Sequence, residues 1–234
     1  MLLIYIWVIS LLSLLASANV EKAIFIAPST LSTGSTLDEL RLERLTPASG
    51  MLRTRLNVSF PTDAETYGTD SWFFLKNLNP GQRYEVRICW LATQPTAFTL
   101  STYTIPEALE DRALLDAINS YSFAAATPVR QGGTPAVAST ASELDSVLLL
   151  RISAAADYFS LDRELMENVP PVLADIILDP FLGNVFPKSL VPTAAWIGVV
   201  SCVSVVVARW IAREFASAVN SAGLHEHADG KKVQ

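Results

Sequence analysis

Alternation of apolar and polar residues runs through the middle of the chain and breaks down at both ends. Leu52, Thr54, Leu56, Val58 and Phe60 share one parity, while Arg53, Arg55 and Asn57 take the other. A period of two marks a strand with one face buried. Tyr84, Val86, Ile88 and Trp90 alternate in the same way with Arg83, Glu85, Arg87 and Cys89. Shorter runs complete the pattern: apolar at 23–26 until Pro28 stops it, aromatic at 71–75, rich in Thr, Phe and Tyr at 97–105, and apolar again at 147–152. Turn residues separate these runs, so the pattern predicts a mainly β domain. At 106–119 the period changes. Pro106 suits a first helical position, and Leu109, Ala113, Leu114 and Ile118 share a helical face, which predicts a short amphipathic helix. A second helix is expected within 157–167.

The segment Leu78-Asn79-Pro80-Gly81-Gln82-Arg83-Tyr84-Glu85-Val86-Arg87 sharpens the fold class. It resembles the turn and following strand of fibronectin type III and related sandwiches, which carry a tyrosine corner there. The expected fold is therefore mainly β: a small antiparallel immunoglobulin/fibronectin-like β-sandwich with short helices, plus one C-terminal transmembrane α-helix. Residues 124–143 are Ala, Ser, Thr, Pro and Gly with few large apolar groups, and are read as a flexible insert. The sandwich domain is expected at 19–123, with a returning strand and helix at 144–174.

The two ends depart from alternation in a different way. Residues 1–15 are almost wholly apolar and lead into Ala16-Ser17-Ala18, the pattern of a signal peptide (1–18) cut after Ala18. Residues 190–208 carry no charge. At 1.5 Å per residue they reach roughly 28 Å, the hydrocarbon thickness of a bilayer. Trp196 and Trp210 lie near the ends of this run, and Arg209 and Arg213 follow it. The positive-inside rule then places the tail, 209–234, in the cytosol and the N-terminal bulk in the lumen. Lys231 and Lys232 stand fourth and third from the C-terminus, the spacing of a dilysine retrieval signal read by coat machinery and returning proteins to the endoplasmic reticulum. Ala194, Gly198 and Cys202 recur every fourth residue in the span, so the helix can pack closely in lipid through them.

Between domain and span, 175–189 reads as a juxtamembrane amphipathic segment. Asp179 can cap a helix that Pro180 begins, with Ile177, Phe181, Val185 and Phe186 as its apolar stripe. Such a stripe either lies on lipid headgroups or fits a partner's groove.

Composition and charge narrow the function. A net charge of −6 argues against nucleic acid. Half the residues are hydrophobic and only 17% charged, an excess concentrated at the ends. Both histidines, His225 and His227, fall in the tail, which removes a lumenal Ser-His-Asp site and the common zinc sites. Cys89 and Cys202 lie on opposite sides of the expected membrane boundary and cannot pair; Cys89 is read as a small buried hydrophobe. No phosphate-cradling glycine loop and no Asp-x-Asp motif occurs, and Glu143-Leu144-Asp145 is the nearest approach. No catalytic, cofactor-binding or metal site is expected. Asn57-Val58-Ser59 is the only glycosylation sequon, placing a candidate glycan on Asn57.

Four blocks then identify a family. They are Val20-Glu21-Lys22-Ala23-Ile24-Phe25, the segment 78–87 with Cys89-Trp90, Leu150-Arg151-Ile152-Ser153-Ala154-Ala155-Ala156-Asp157, and Asp175-Ile176-Ile177-Leu178-Asp179-Pro180-Phe181-Leu182 with Asn184-Val185-Phe186-Pro187. Together they resemble the fungal GPI mannosyltransferase II co-activator family. The resemblance implies a non-catalytic subunit in the endoplasmic reticulum membrane, without cofactors. Its partner would be the polytopic catalytic subunit that adds the second mannose to the GPI precursor. The rival readings are a type I cargo receptor cycling between endoplasmic reticulum and Golgi, which the lack of sustained heptads disfavours, another subunit of an endoplasmic reticulum membrane complex, and a lumenal glycan-processing enzyme.

Overall fold

The computed structural model describes residues 19–29, 40, 42–63, 65–125 and 146–229. The signal-peptide reading, almost all of the insert and the Lys231-Lys232 signal lie outside them. The chain divides into two units, residues 1–187 and residues 188–234.

Among the described residues the first unit is mainly β, with nine strands: β1 (Val20–Ile26), β2 (Glu43–Leu45), β3 (Met51–Leu56), β4 (Thr69–Leu78), β5 (Arg83–Trp90), β6 (Thr96–Thr104), β7 (Ser146–Ala156), β8 (Val172–Leu182) and β9 (Phe186–Pro187). One sheet has the order β1-β5-β8-β3, with β9 folded back on β8; the other has the order β2-β4-β7-β6. All pairings between these strands are antiparallel except the three residues of β2 against β4. The chain changes sheet between β4 and β5, and the two sheets trap one core.

Alternation explains that core. Tyr84, Val86 and Ile88 of β5 face Phe73 and Leu75 of β4, Leu150 and Ile152 of β7, and Ile176 of β8, all fully buried. The crossing turn is held as its composition predicts. Gln82 N–H donates to the Asn79 carbonyl at 3.1 Å, Pro80 takes the second turn position, and Gly81 has φ +74°, the left-handed residue a type II turn requires. Tyr84 then closes a tyrosine corner, its buried hydroxyl accepting from Asn79 N–H at 3.0 Å and donating to Gln82 Oε1 at 3.0 Å.

A second, smaller core lies on the outer face of the β2-β4-β7-β6 sheet. Trp72, Phe74 and Leu149 point away from the sandwich and are covered by Ile105 and Ala108 of α1 (Ile105–Glu110) and Ile118 of α2 (Arg112–Ala125). The single amphipathic helix expected at 106–119 is thus two helices. Thr104 and Glu107 form a reciprocal capping box at the start of α1, and Asp111 ends it. The break rephases the apolar face, so Leu109 is exposed and Ala108 buried. Of 157–167 only Arg163–Glu167 is helical (α3).

The second unit is helical. A 3-10 turn, Lys188–Leu190, leads into α4, Val191–Asp229. Residues 188–217 form a stretch with mean hydropathy 2.1, long and apolar enough to cross a membrane, with none of its most apolar window buried.

Candidate partner-binding face

The two sheets are finished differently on their outer sides. Helices α1 and α2 cover one; no described element covers the other. This open face belongs to β1-β5-β8-β3, and strand register says which side chains share it, because directly paired residues lie on the same face. Ile24, Glu85 and Asp179 form one row, Lys22, Arg87, Ile177 and Met51 the next, and Cys89, Asp175 and Arg53 a third. Ile24, Ile26 and Met51 are 53%, 60% and 57% exposed. The face therefore presents large aliphatic side chains at its margins and charged groups between them.

Those charges are mutually satisfied. Glu85 is buried, with Lys22 Nζ at 3.6 Å and Arg87 Nη1 at 3.7 Å. Arg53 grips Asp175 with two hydrogen bonds, Nε to Oδ1 at 2.7 Å and a terminal nitrogen to Oδ2 at 2.8 Å. The Arg53 hydrogen bonds hold the Asp175 carboxyl below its ordinary range, and its burial opposes them only in part. A lowered carboxyl pKa stabilises the fold above the unfolded-state value, and the contribution is lost as pH falls through the depressed native value. Asp175→Asn should consequently flatten the acid limb of a melting-temperature profile between neutral pH and about pH 2. A parallel profile would show that the pair is fully screened.

The structure overturns the helix expected to begin at Pro180 within the juxtamembrane segment 175–189. Residues 172–182 form β8, inside the sheet between β5 and β3. Val172, Ala174, Ile176 and Leu178 face the core, while Ile177 lies half-buried on the outer face. With apolar residues on both sides, the run fits either period, and pairing with two strands decides for β. Asp179 caps no helix; it sits opposite Glu85. Pro180 is tolerated for a geometric reason. Leu178 N–H donates toward Gly50 at 2.7 Å, so Pro180, two residues on, faces that same side. There β3 has ended and the β9 pairing has not begun, so the missing N–H leaves no ladder bond unmade.

The expected stripe is thus split. Phe181 is buried beneath the Arg83 guanidinium, 5.9 Å from the ring centre, whereas Val185 and Phe186 lie exposed around the tip of the β8–β9 hairpin. That hairpin turns on Gly183 (φ +58°) and Asn184 (φ +59°), the positive-φ pair of a type I′ turn, with Val185 N–H bonded to the Leu182 carbonyl. Asn184 fastens it to the tyrosine-corner turn: Oδ1 accepts from Arg83 N–H at 2.8 Å and Nδ2 donates to the Gly81 carbonyl at 3.0 Å. Gln82 Nε2 also donates to the Phe181 carbonyl. Two segments a hundred residues apart are therefore one structural unit, and β1 pairs directly beside them. Asn184→Ala removes both bonds and places Cβ-bearing alanine at positive φ. A loss of about 1–3 kcal/mol in urea unfolding is expected, against little change for exposed Val185→Ala.

The remaining candidates are placed as follows. Asn57 is exposed just past the end of β3, and Ser59, the third sequon residue, is half-buried and accepts from the Thr69 hydroxyl. Ala194, Gly198 and Cys202 are exposed along one side of α4, and Gly198 has open space around it. Cys89 is half-buried on the open face.

No curated protein and no solved structure matches the chain. A family model does match, over residues 9–121, which span β1 to most of α2 and so include β5 and its turn. Its description is Pga1, GPI-Mannosyltransferase II co-activator, and over this region the chain is similar to that family.

Proposed function

We propose that this chain is a non-catalytic accessory subunit of GPI mannosyltransferase II, supporting addition of the second mannose during GPI-anchor biosynthesis. The observation that carries this reading is the open β1-β5-β8-β3 face, which displays Ile24, Ile26 and Met51 while the opposite sheet is capped by helices. Such a face, aliphatic at its margins and charged between, suits a protein partner. The family description names a mannosyltransferase as the enzyme co-activated, so the partner is its catalytic, membrane-embedded subunit.

In this reading 188–217 crosses the endoplasmic reticulum membrane once, after removal of the signal peptide. The sandwich then stands in the lumen, where Asn57 carries a glycan. The span packs laterally through Ala194, Gly198 and Cys202. Ile177, Val185 and Phe186 extend the docking surface, and Lys231 and Lys232 engage the coat machinery. Depleting the chain should make the GPI precursor bearing one mannose accumulate, and purification in mild detergent should recover the catalytic subunit. Normal precursor levels after depletion would contradict the proposal.

A further inference from the structure

Between the start of β1, the end of β5 and the start of β6 lies a cleft of about 400 Å³, within the range of small-ligand sites. Its rim is polar and exposed, while the strands that frame it turn apolar side chains toward the core. Residues of β1 paired with inward-facing residues of β5 are themselves inward-facing: Phe25 with Tyr84, Ala23 with Val86, and Glu21 with Ile88. The series passes from an aromatic ring to a methyl group to a carboxylate. Glu21 stands at the exposed end of this row, on the rim of the cleft.

The other lining groups have a consistent chemistry. Trp90 forms the floor, half-buried, with its orientation fixed by an edge-to-face contact with Phe98 at 4.7 Å between ring centres. Asp157, exposed at the end of β7, faces the same space, as do Asn19 and Thr96. No Lys or Arg side chain is among the lining residues, and the side-chain charge of the cleft comes from its two carboxylates. Two carboxylates and a carboxamide accept strongly from hydroxyl groups, and a fixed indole offers a flat surface to C–H bonds. A ligand with one apolar C–H face and several hydroxyl donors at its edge is a pyranose ring.

We infer that this cleft is a glycan-binding subsite that seats one neutral hexose, its ring against Trp90 and its hydroxyls bonded to Glu21 and Asp157. The site is separate from the open β1-β5-β8-β3 face. It goes beyond the docking role by giving the subunit a direct hold on a sugar.

Saturation-transfer NMR on the full chain in nanodiscs tests this, with an α-linked mannose disaccharide as probe. Transfer to the ring C–H protons is expected. It should fall at least tenfold in Glu21→Ala and in Asp157→Asn, both exposed positions whose melting should match the unmodified chain. Absence of transfer, or transfer unaffected by both substitutions, overturns the inference. So does equal displacement of the disaccharide by ethanolamine, which would make the cleft an ammonium site instead. Both variants should still co-purify with the catalytic subunit, so failure of the sugar site and failure of the docking reading are distinguishable.

Discussion

Phe73→Ala is expected to cost about 3–5 kcal/mol of folding stability, the largest effect of any single truncation proposed here. Phe73 is fully buried at the middle of β4, with Glu43 of β2 on one side and Leu150 of β7 on the other in the hydrogen-bonded sheet. Its ring faces the opposite sheet across the main core. Removing it forfeits the transfer free energy of an aromatic side chain and leaves a cavity that two paired strands cannot collapse to fill. A domain of this size is stable by about 5–15 kcal/mol, so the loss is a large fraction of the total. Urea unfolding followed by circular dichroism measures it. Phe123→Ala is the control. That phenylalanine is 80% exposed on α2, and its replacement should change stability by no more than about 0.5 kcal/mol.

The second large effect is on association. Ile24→Asp combined with Met51→Asp should abolish recovery of the catalytic subunit while leaving the melting temperature nearly unchanged. The two side chains lie on the outermost strands of the sheet and on the same face. Three strand spacings separate β1 from β3, about 14 Å, so both fall within one footprint. Each substitution would place a carboxylate where the partner covers an aliphatic chain, beside Glu85 and Asp175. Losing a few kcal/mol at the centre of an interface weakens binding by about a hundredfold or more. Phe181 is unsuitable for such a test: it is buried under Arg83, and a charge there would damage the fold itself.

What could be read from the sequence was set by how far a single period ran. In β3 and β5 strict alternation named the strands and their inward faces, because one face of each strand meets the core and the other meets water, although β3 ends at Leu56 while the alternating pattern runs on to Phe60. Tyr84 and its corner were legible from the likeness of the whole segment 78–87 to the turn and strand of fibronectin type III sandwiches. β8 was not. The stretch 175–182 is apolar on both faces, since Ile176 meets the core while Phe181 is buried beneath Arg83. Asp179-Pro180 then imitates a helix start, and only the ends of β3 and β9 reveal why a proline fits in that strand. β2 is three residues long and leaves no periodic trace. The open face was missed for the same reason as β8. It consists of residues from four strands, and register, which a sequence does not display, is what assembles Ile24, Ile177 and Met51.

Site-specific photo-crosslinking in intact membranes tests the central claim most directly. A photoreactive amino acid at position 24, on the open sheet face, should form an adduct with the catalytic mannosyltransferase subunit, and the same group at position 123, on the helix-covered side, should not. An adduct from position 123 with none from position 24 would contradict the account.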